Sequence, residues 1–387
     1  MSRLRFLCVP WQTAQHAILS SSQWILKMEA IASAQRDDLK SLLAGGSYRT
    51  LIDVILDEVG RLLQKLTRQP RPVSFVYSAA TLCLLILLVD VVVSILSGEY
   101  RFIGERIVLI EILGILLAFA SLVIFKVSVR LVFSKLRDDI LDAIASEANL
   151  IDLRRWLGLL CNLRLHLTFS LIYALTIGTY IAKALSVDPP GGLLVTTWLV
   201  AFIWALPMYL LLIFLILPGR LSQYDYRLYK GDPSSSEVVA HLSSLLTRLV
   251  YLYAVVAAGS MVYLAYAGLL AQISVISIIV AWLPITFLFV SSQLALGRII
   301  TRAKWQTLNE VQEQIQRIEA QADLGEKETM DKMNRLMDYH DRVKATRNST
   351  FDLRAILTFV NSLLLPILGF LLGHLGLLQG ILPWITK

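Results

Sequence analysis

The sequence predicts an all-α polytopic membrane protein: a bundle of about seven transmembrane helices with a cytoplasmic helical layer, including a long antiparallel helical hairpin. Three observations carry this expectation. Of 387 residues, 56% are hydrophobic and 17% charged. Soluble domains average roughly 45–50% and 25%, so a soluble fold of this composition would lack the polar residues to cover its surface. The apolar residues also gather into runs long enough to cross about 30 Å of hydrocarbon, which takes about 20 residues of helix. Finally, the basic residues between those runs are distributed one-sidedly.

Seven runs qualify, at about 73–97, 107–127, 166–187, 193–217, 249–271, 274–296 and 355–380. Only helices and closed barrels satisfy every backbone group in lipid, and these runs are continuous rather than alternating, so they read as helices. The first begins too far along the chain for a cleaved signal peptide, which leaves the spans to direct insertion. Of the 36 lysines and arginines, 32 fall in 1–72, 126–165, 218–248 and 298–354. Arg101, Arg106, Lys183 and Lys387 fall on the other side. The positive-inside rule makes the rich side cytoplasmic, in a multi-pass plasma (inner) membrane protein with a cytoplasmic N-terminus and an external C-terminus. The net charge of +7 is thereby a trace of topology, and no nucleic-acid partner is expected. Cys8, Cys83 and Cys161 are too scattered to suggest a disulfide framework or a metal site.

In chain order, 1–72 reads as cytoplasmic amphipathic helices at 13–43 and 50–67, the second carrying Leu51, Val54, Ile55, Val59, Leu62, Leu63 and Leu66. It ends in Arg61, Lys65, Arg68 and Arg71, which are either a plain positive-inside flank or a holder for anionic lipid headgroups. Residues 73–297 form a six-span membrane domain with cytoplasmic helical loops at 128–165 and 218–248. An amphipathic helix (50–67, 134–160, 235–248) precedes each pair of spans, a weak parallel repeat of architecture rather than of residues. Residues 298–354 form a cytoplasmic hairpin. Its first arm, continuing the sixth span, has a coiled-coil-like seam of Leu308, Val311, Ile315, Ile318 and Ala322. Its second arm carries Met330, Met333, Leu336, Met337 and Val343, after a turn at Gly325. The hairpin either packs on itself or serves homo-oligomerisation or partner docking, flexible methionines suiting a contact face. The Asn348-Ser349-Thr350 sequon falls on the cytoplasmic side, so no glycan is expected there.

Residues 355–387 hold the seventh span and a short external tail. Ser362, Pro366, Gly369, Gly373, Gly376 and Gly380 share one face at 4-3-4-3-4 spacing. Such a stripe lets another helix approach closely, within the chain or between subunits. Three ionisable residues sit inside spans, Asp90, Glu111 and Lys183, at similar depth in the outer half. They form either a polar cluster serving as proton or cation ligands, or internal pairs and snorkelling side chains. His166, Ser170, Tyr173, Thr176, Tyr180 and Lys183 recur every three or four residues along the third span, a candidate cavity-lining face. Pro207, Pro284 and Pro366 interrupt apolar runs, as kinks or as broken helices do.

Asp138-Asp139-Ile140-Leu141-Asp142 spells DDxxD. Over these five residues it resembles the aspartate-rich motifs with which UbiA-type prenyltransferases hold Mg²⁺ on a diphosphate. No second such motif occurs in 298–354, and Leu136, Ile140, Leu141 and Ile144 around it suit an ordinary amphipathic helix. Phosphate-loop, HExxH, GxSxG and TVGYG patterns are absent. The expected function is therefore a non-enzymatic oligomeric channel or membrane assembly in contact with membrane lipids, without cofactor or metal. The alternatives are a secondary transporter coupled to protons or cations through Asp90 and Glu111 and, remotely, a membrane transferase using Asp138, Asp139 and Asp142.

Overall fold

The computed structural model describes residues 33–46, 48–68, 72–96, 105–185, 191–266, 275–321 and 327–347. The expected seventh span with Ser362, Pro366, Gly369, Gly373, Gly376 and Gly380 lies outside these residues, as do Gly325 and the sequon. Among the described residues ten helices follow one another: α1 (33–44), α2 (Leu51–Thr67), α3 (Phe75–Leu96), α4 (Glu105–Lys135), α5 (Glu147–Leu160), α6 (Leu163–Leu185), α7 (Gly191–Leu221), α8 (Glu237–Tyr266), α9 (Val275–Gln321) and α10 (Lys327–Ala345). Among the described residues there is no strand, and one isolated antiparallel bridge joins Ile144 to Tyr226. Six of these described helices, α3, α4 and α6–α9, are long and apolar enough to cross a membrane. The chain is an all-α, multi-pass membrane bundle.

The bundle is built around α7, which contacts α3, α4, α6 and α9. Its Leu206, Leu210, Phe214 and Leu217 are completely buried, whereas outward residues of α3 such as Leu88 and Leu96 are exposed, as a lipid-facing surface requires. Toward the helical layer the core turns aromatic. Tyr253 of α8 packs on Phe125 of α4 (ring centroids 4.8 Å) and on Phe214 (6.1 Å), and Trp156 of α5 also reaches Phe214 (6.1 Å).

Helix α2 starts where the sequence predicts, because Thr50 and Asp53 form a reciprocal capping box: the Asp53 carboxylate accepts from Thr50 N–H (2.8 Å) and Thr50 Oγ1 accepts from Asp53 N–H (3.3 Å). Two expected helices take a different form. The predicted helix over 134–160 is interrupted: a π-helical turn (Leu136–Ile140) and a 3₁₀ turn (Leu141–Ala143) follow α4, and extended backbone at Ile144 precedes α5. Long-range pairing decides this. Ala145 N–H donates to Asp225 O (2.9 Å), Arg227 N–H donates to Ala143 O (2.8 Å), and Leu136, Ile140, Leu141 and Ile144 are all completely buried. The predicted helix over 235–248 is the first part of α8, continuous with its span, because neither Gly nor Pro intervenes until Gly259.

The helical layer is one connected body. Lys40 of α1 pairs with Asp142 (2.6 Å), Arg220 with Asp152 (2.8 Å) and Lys230 with Glu310 of α9 (2.7 Å). Arg302 of α9 donates to Gln223 O (3.0 Å). Exposed pairs of this kind contribute little energy each; the buried leucines of α5 and α8 hold the layer together and the pairs set its register. Helix α9 leaves the bundle without a break, 47 residues or about 70 Å long, and packs on α10. Leu308, Val311 and Ile315 of α9 and Val343 of α10 are buried. Lys304 Nζ donates to Lys344 O and Thr346 O (both 2.7 Å), closing the end of α10 where carbonyls lack helical partners.

Candidate functional site

The intramembrane polar residues are distributed around α7. Asp90, half-buried on the otherwise apolar α3, accepts a hydrogen bond from Thr196 Oγ1 of α7, a residue itself 2% exposed. Two residues further along α7, Trp198 Nε1 donates to Thr179 Oγ1 of α6 (2.9 Å), and that hydroxyl donates to Leu175 O (2.5 Å). Polar groups on α3 and α6 thus each satisfy a partner on α7, the way buried polar atoms join helices in lipid. Lys183 is exposed near the end of α6, and no ion pair joins it to Asp90 among the described residues. Glu111 lies on α4, with its side chain outside the described residues.

The predicted polar stripe of α6 divides into two parts. His166 (1% exposed) and Ser170 (fully buried) face α7. His166 Nε2 lies 3.0 Å from Leu206 O, a carbonyl that can only accept, so the proton sits on Nε2. Its ring stacks on Tyr209 (4.2 Å), whose hydroxyl donates to Leu159 O (2.7 Å). Tyr173 is half-buried against Phe169 (6.0 Å). Thr176, Tyr180 and Lys183 are exposed, and Thr176 Oγ1 donates to its own helix at Ile172 O (2.8 Å).

The face that α6 does bury starts with His166 and Ser170 of the polar stripe and then leaves it, continuing through Ala174, Gly178 and Ala182, one residue in four. A Cβ on Gly178 would lie 2.8 Å from Trp198 Cδ1 and 3.0 Å from Thr197 O, so α6 and α7 touch backbone to backbone there. The small-residue rule that picks out 369–380 also picks out this face.

The DDxxD carboxylates each have a cation of their own. Asp138 is paired with Arg137 (2.6 Å), Asp139 with Lys135 (2.6 Å) and His241 (2.8 Å), and Asp142 with Lys40 (2.6 Å). Among the described residues no group of three His, Cys, Asp or Glu side chains is placed to hold a metal ion. Burial pushes the Cys161 thiol up to about 12, which leaves it protonated and a poor nucleophile near neutrality.

A second polar centre, which sequence reasoning missed, lies where α2 meets the membrane bundle. Lys126 of α4 forms an ion pair with Asp53 Oδ1 of α2, the two side chains being 8% and 13% exposed, while Asp53 Oδ2 serves the capping box. One turn along α4, the Arg130 guanidinium lies 4.6 Å above the Phe75 ring at the start of α3. The signal in the sequence is a lysine at the end of an apolar run together with Thr50-x-x-Asp53, but the positive-inside rule accounts for such a lysine equally well. Comparison of the chain with protein-family models, curated proteins and solved structures finds no match.

Proposed function

We propose that the chain is a non-enzymatic component of an oligomeric membrane assembly or channel, seated in the plasma (inner) membrane with its helical layer and N-terminus in the cytoplasm and its C-terminus outside. The observation that supports this reading is the far half of the α9–α10 hairpin. Near the bundle its apolar seam is buried, but further out Ile318, Met333 and Leu336 are only half-buried, and Met330 and Met337 are 40% and 51% exposed. An apolar, methionine-bearing face on a long helical arm suits contact with a second copy of the chain. The test is the mass of the protein in nanodiscs. A closed oligomer that falls to monomer in Met330→Glu/Met337→Glu supports the reading, and a wild-type monomer overturns it.

A secondary transporter coupled to protons or cations through Asp90 and Glu111 is the second reading. The observation in its favour is that Asp90 meets a hydroxyl and no cation among the described residues. Loss of gradient-driven uptake in Asp90→Asn, with the oligomer unchanged, would favour it.

A further inference from the structure

We propose that the cleft between α2, the start of α3 and Arg130 of α4 binds the phosphate of an anionic phospholipid headgroup. The inference is independent of the oligomeric reading and requires only a membrane-embedded bundle. The cleft has a volume of about 400 Å³ and is lined by Arg49, Arg61 and Arg130, with Asp57, Ser78 and Phe75. The three arginines come from three separate places: the segment before α2, the middle of α2, and α4. They converge on one space without closing it. Arg49 reaches Asp57 only at 3.8 Å, Arg61 pairs with Glu58 along its own helix (2.8 Å), and Arg130 rests on the Phe75 ring (4.6 Å). Two carboxylates, Asp57 and Glu58, against three guanidiniums still leave the cleft net positive, and the planar donor fork of arginine matches phosphate oxygens.

Depth and neighbouring surface select a lipid rather than a free ion. The cleft opens where α3 enters the membrane. Beside it, the C-terminal half of α2 exposes Leu62 (57%) and Leu66 (81%) between Arg61, Lys65 and Arg68. Leucines four apart share a helical face, and a helix with exposed leucines flanked by cations lies at the boundary of headgroups and acyl chains. The leucines meet the chains while the arginines reach the phosphate. The floor is close-packed: a Cβ on Gly60 would lie 2.9 Å from Ser78 Oγ.

Native mass spectrometry of the full-length protein, equilibrated separately with phosphatidylglycerol, phosphatidylcholine and inorganic phosphate, tests this. The wild type is expected to retain phosphatidylglycerol preferentially. Arg61→Gln/Arg130→Gln should weaken that retention by about tenfold or more and leave phosphatidylcholine retention unchanged. Arg335→Gln on the distant hairpin, removing a charge elsewhere, should change neither. Equal retention of the two lipids by the wild type, or no loss in the double variant, overturns the proposal. Inorganic phosphate binding as tightly as the lipid overturns the lipid assignment. Because both Arg61 and Arg130 are exposed, an unchanged unfolding midpoint is expected. If the double variant does unfold, Leu62→Gln/Leu66→Gln gives an independent reading: weaker phosphatidylglycerol retention supports the proposal and unchanged retention overturns it.

Discussion

Lys126 and Asp53 show how a charge is accommodated at the boundary of a membrane bundle. The carboxylate holds α2's first turn through one oxygen and Lys126 through the other. Neither side chain has water to fall back on, at 13% and 8% exposure. Removing one partner leaves the other buried and uncompensated, a loss of about 3–5 kcal/mol, whereas replacing both by neutral groups is often close to neutral. Lys126→Met should therefore lower stability by that amount in detergent unfolding. Asp53→Asn/Lys126→Met, which keeps a capping oxygen, should recover most of the loss. Equal stability of Lys126→Met and wild type would show that the pair contributes nothing. Asp90 differs in kind: its partner is the Thr196 hydroxyl, so the polar contact across α3 and α7 carries no compensating charge.

At the scale of the element, α6 and α7 depend on close approach more than on polar bonds. The space around Gly178 is already full, since a methyl added there would lie 2.8 Å from Trp198 Cδ1 and 3.0 Å from Thr197 O. Gly178→Ala should cost about 1–3 kcal/mol through overpacking. Gly158 on α5 has nothing within 4 Å of the same position, so Gly158→Ala should be neutral or gain up to about 1 kcal/mol of helix propensity. Thermal unfolding of the two variants in one detergent checks the contrast, and matched midpoints would refute it. What is legible in the sequence follows the same division. Span positions and the continuous helix α9 are readable because length and composition determine them locally. The polar stripe of α6 is readable as a stripe but not as a site: Thr176 satisfies itself on Ile172 O while His166 is buried against α7, and spacing does not say which face turns inward. The interruption at 136–146 is unreadable, since it depends on Ile144 meeting Tyr226, a residue far along the chain.

At the scale of the whole molecule, charge asymmetry and three-dimensional contacts make a joint statement about topology. The segments richest in lysine and arginine are the ones the structure links: α1 to the 142–154 region through Lys40–Asp142 and Arg154–Asp38, and the 222–236 loop to α9 through Lys230–Glu310. A layer joined in this way belongs on one side of the membrane, and under the orientation we propose from the positive-inside rule that side is the cytoplasm. In a variant lacking Cys8, Cys83 and Cys161, single cysteines placed at Arg68, Lys230 and Arg335 should all react with an impermeant maleimide in inverted vesicles and not in intact cells. The sequence predicts one further crossing at 355–380 beyond the six described spans, and on that expectation a tag after Lys387 should be reached only from outside. Split labelling among the three cysteines would break the single layer. Uniform labelling from the outside would keep the layer and reverse the orientation, and a tag accessible from the same side as the cysteines would remove the seventh crossing.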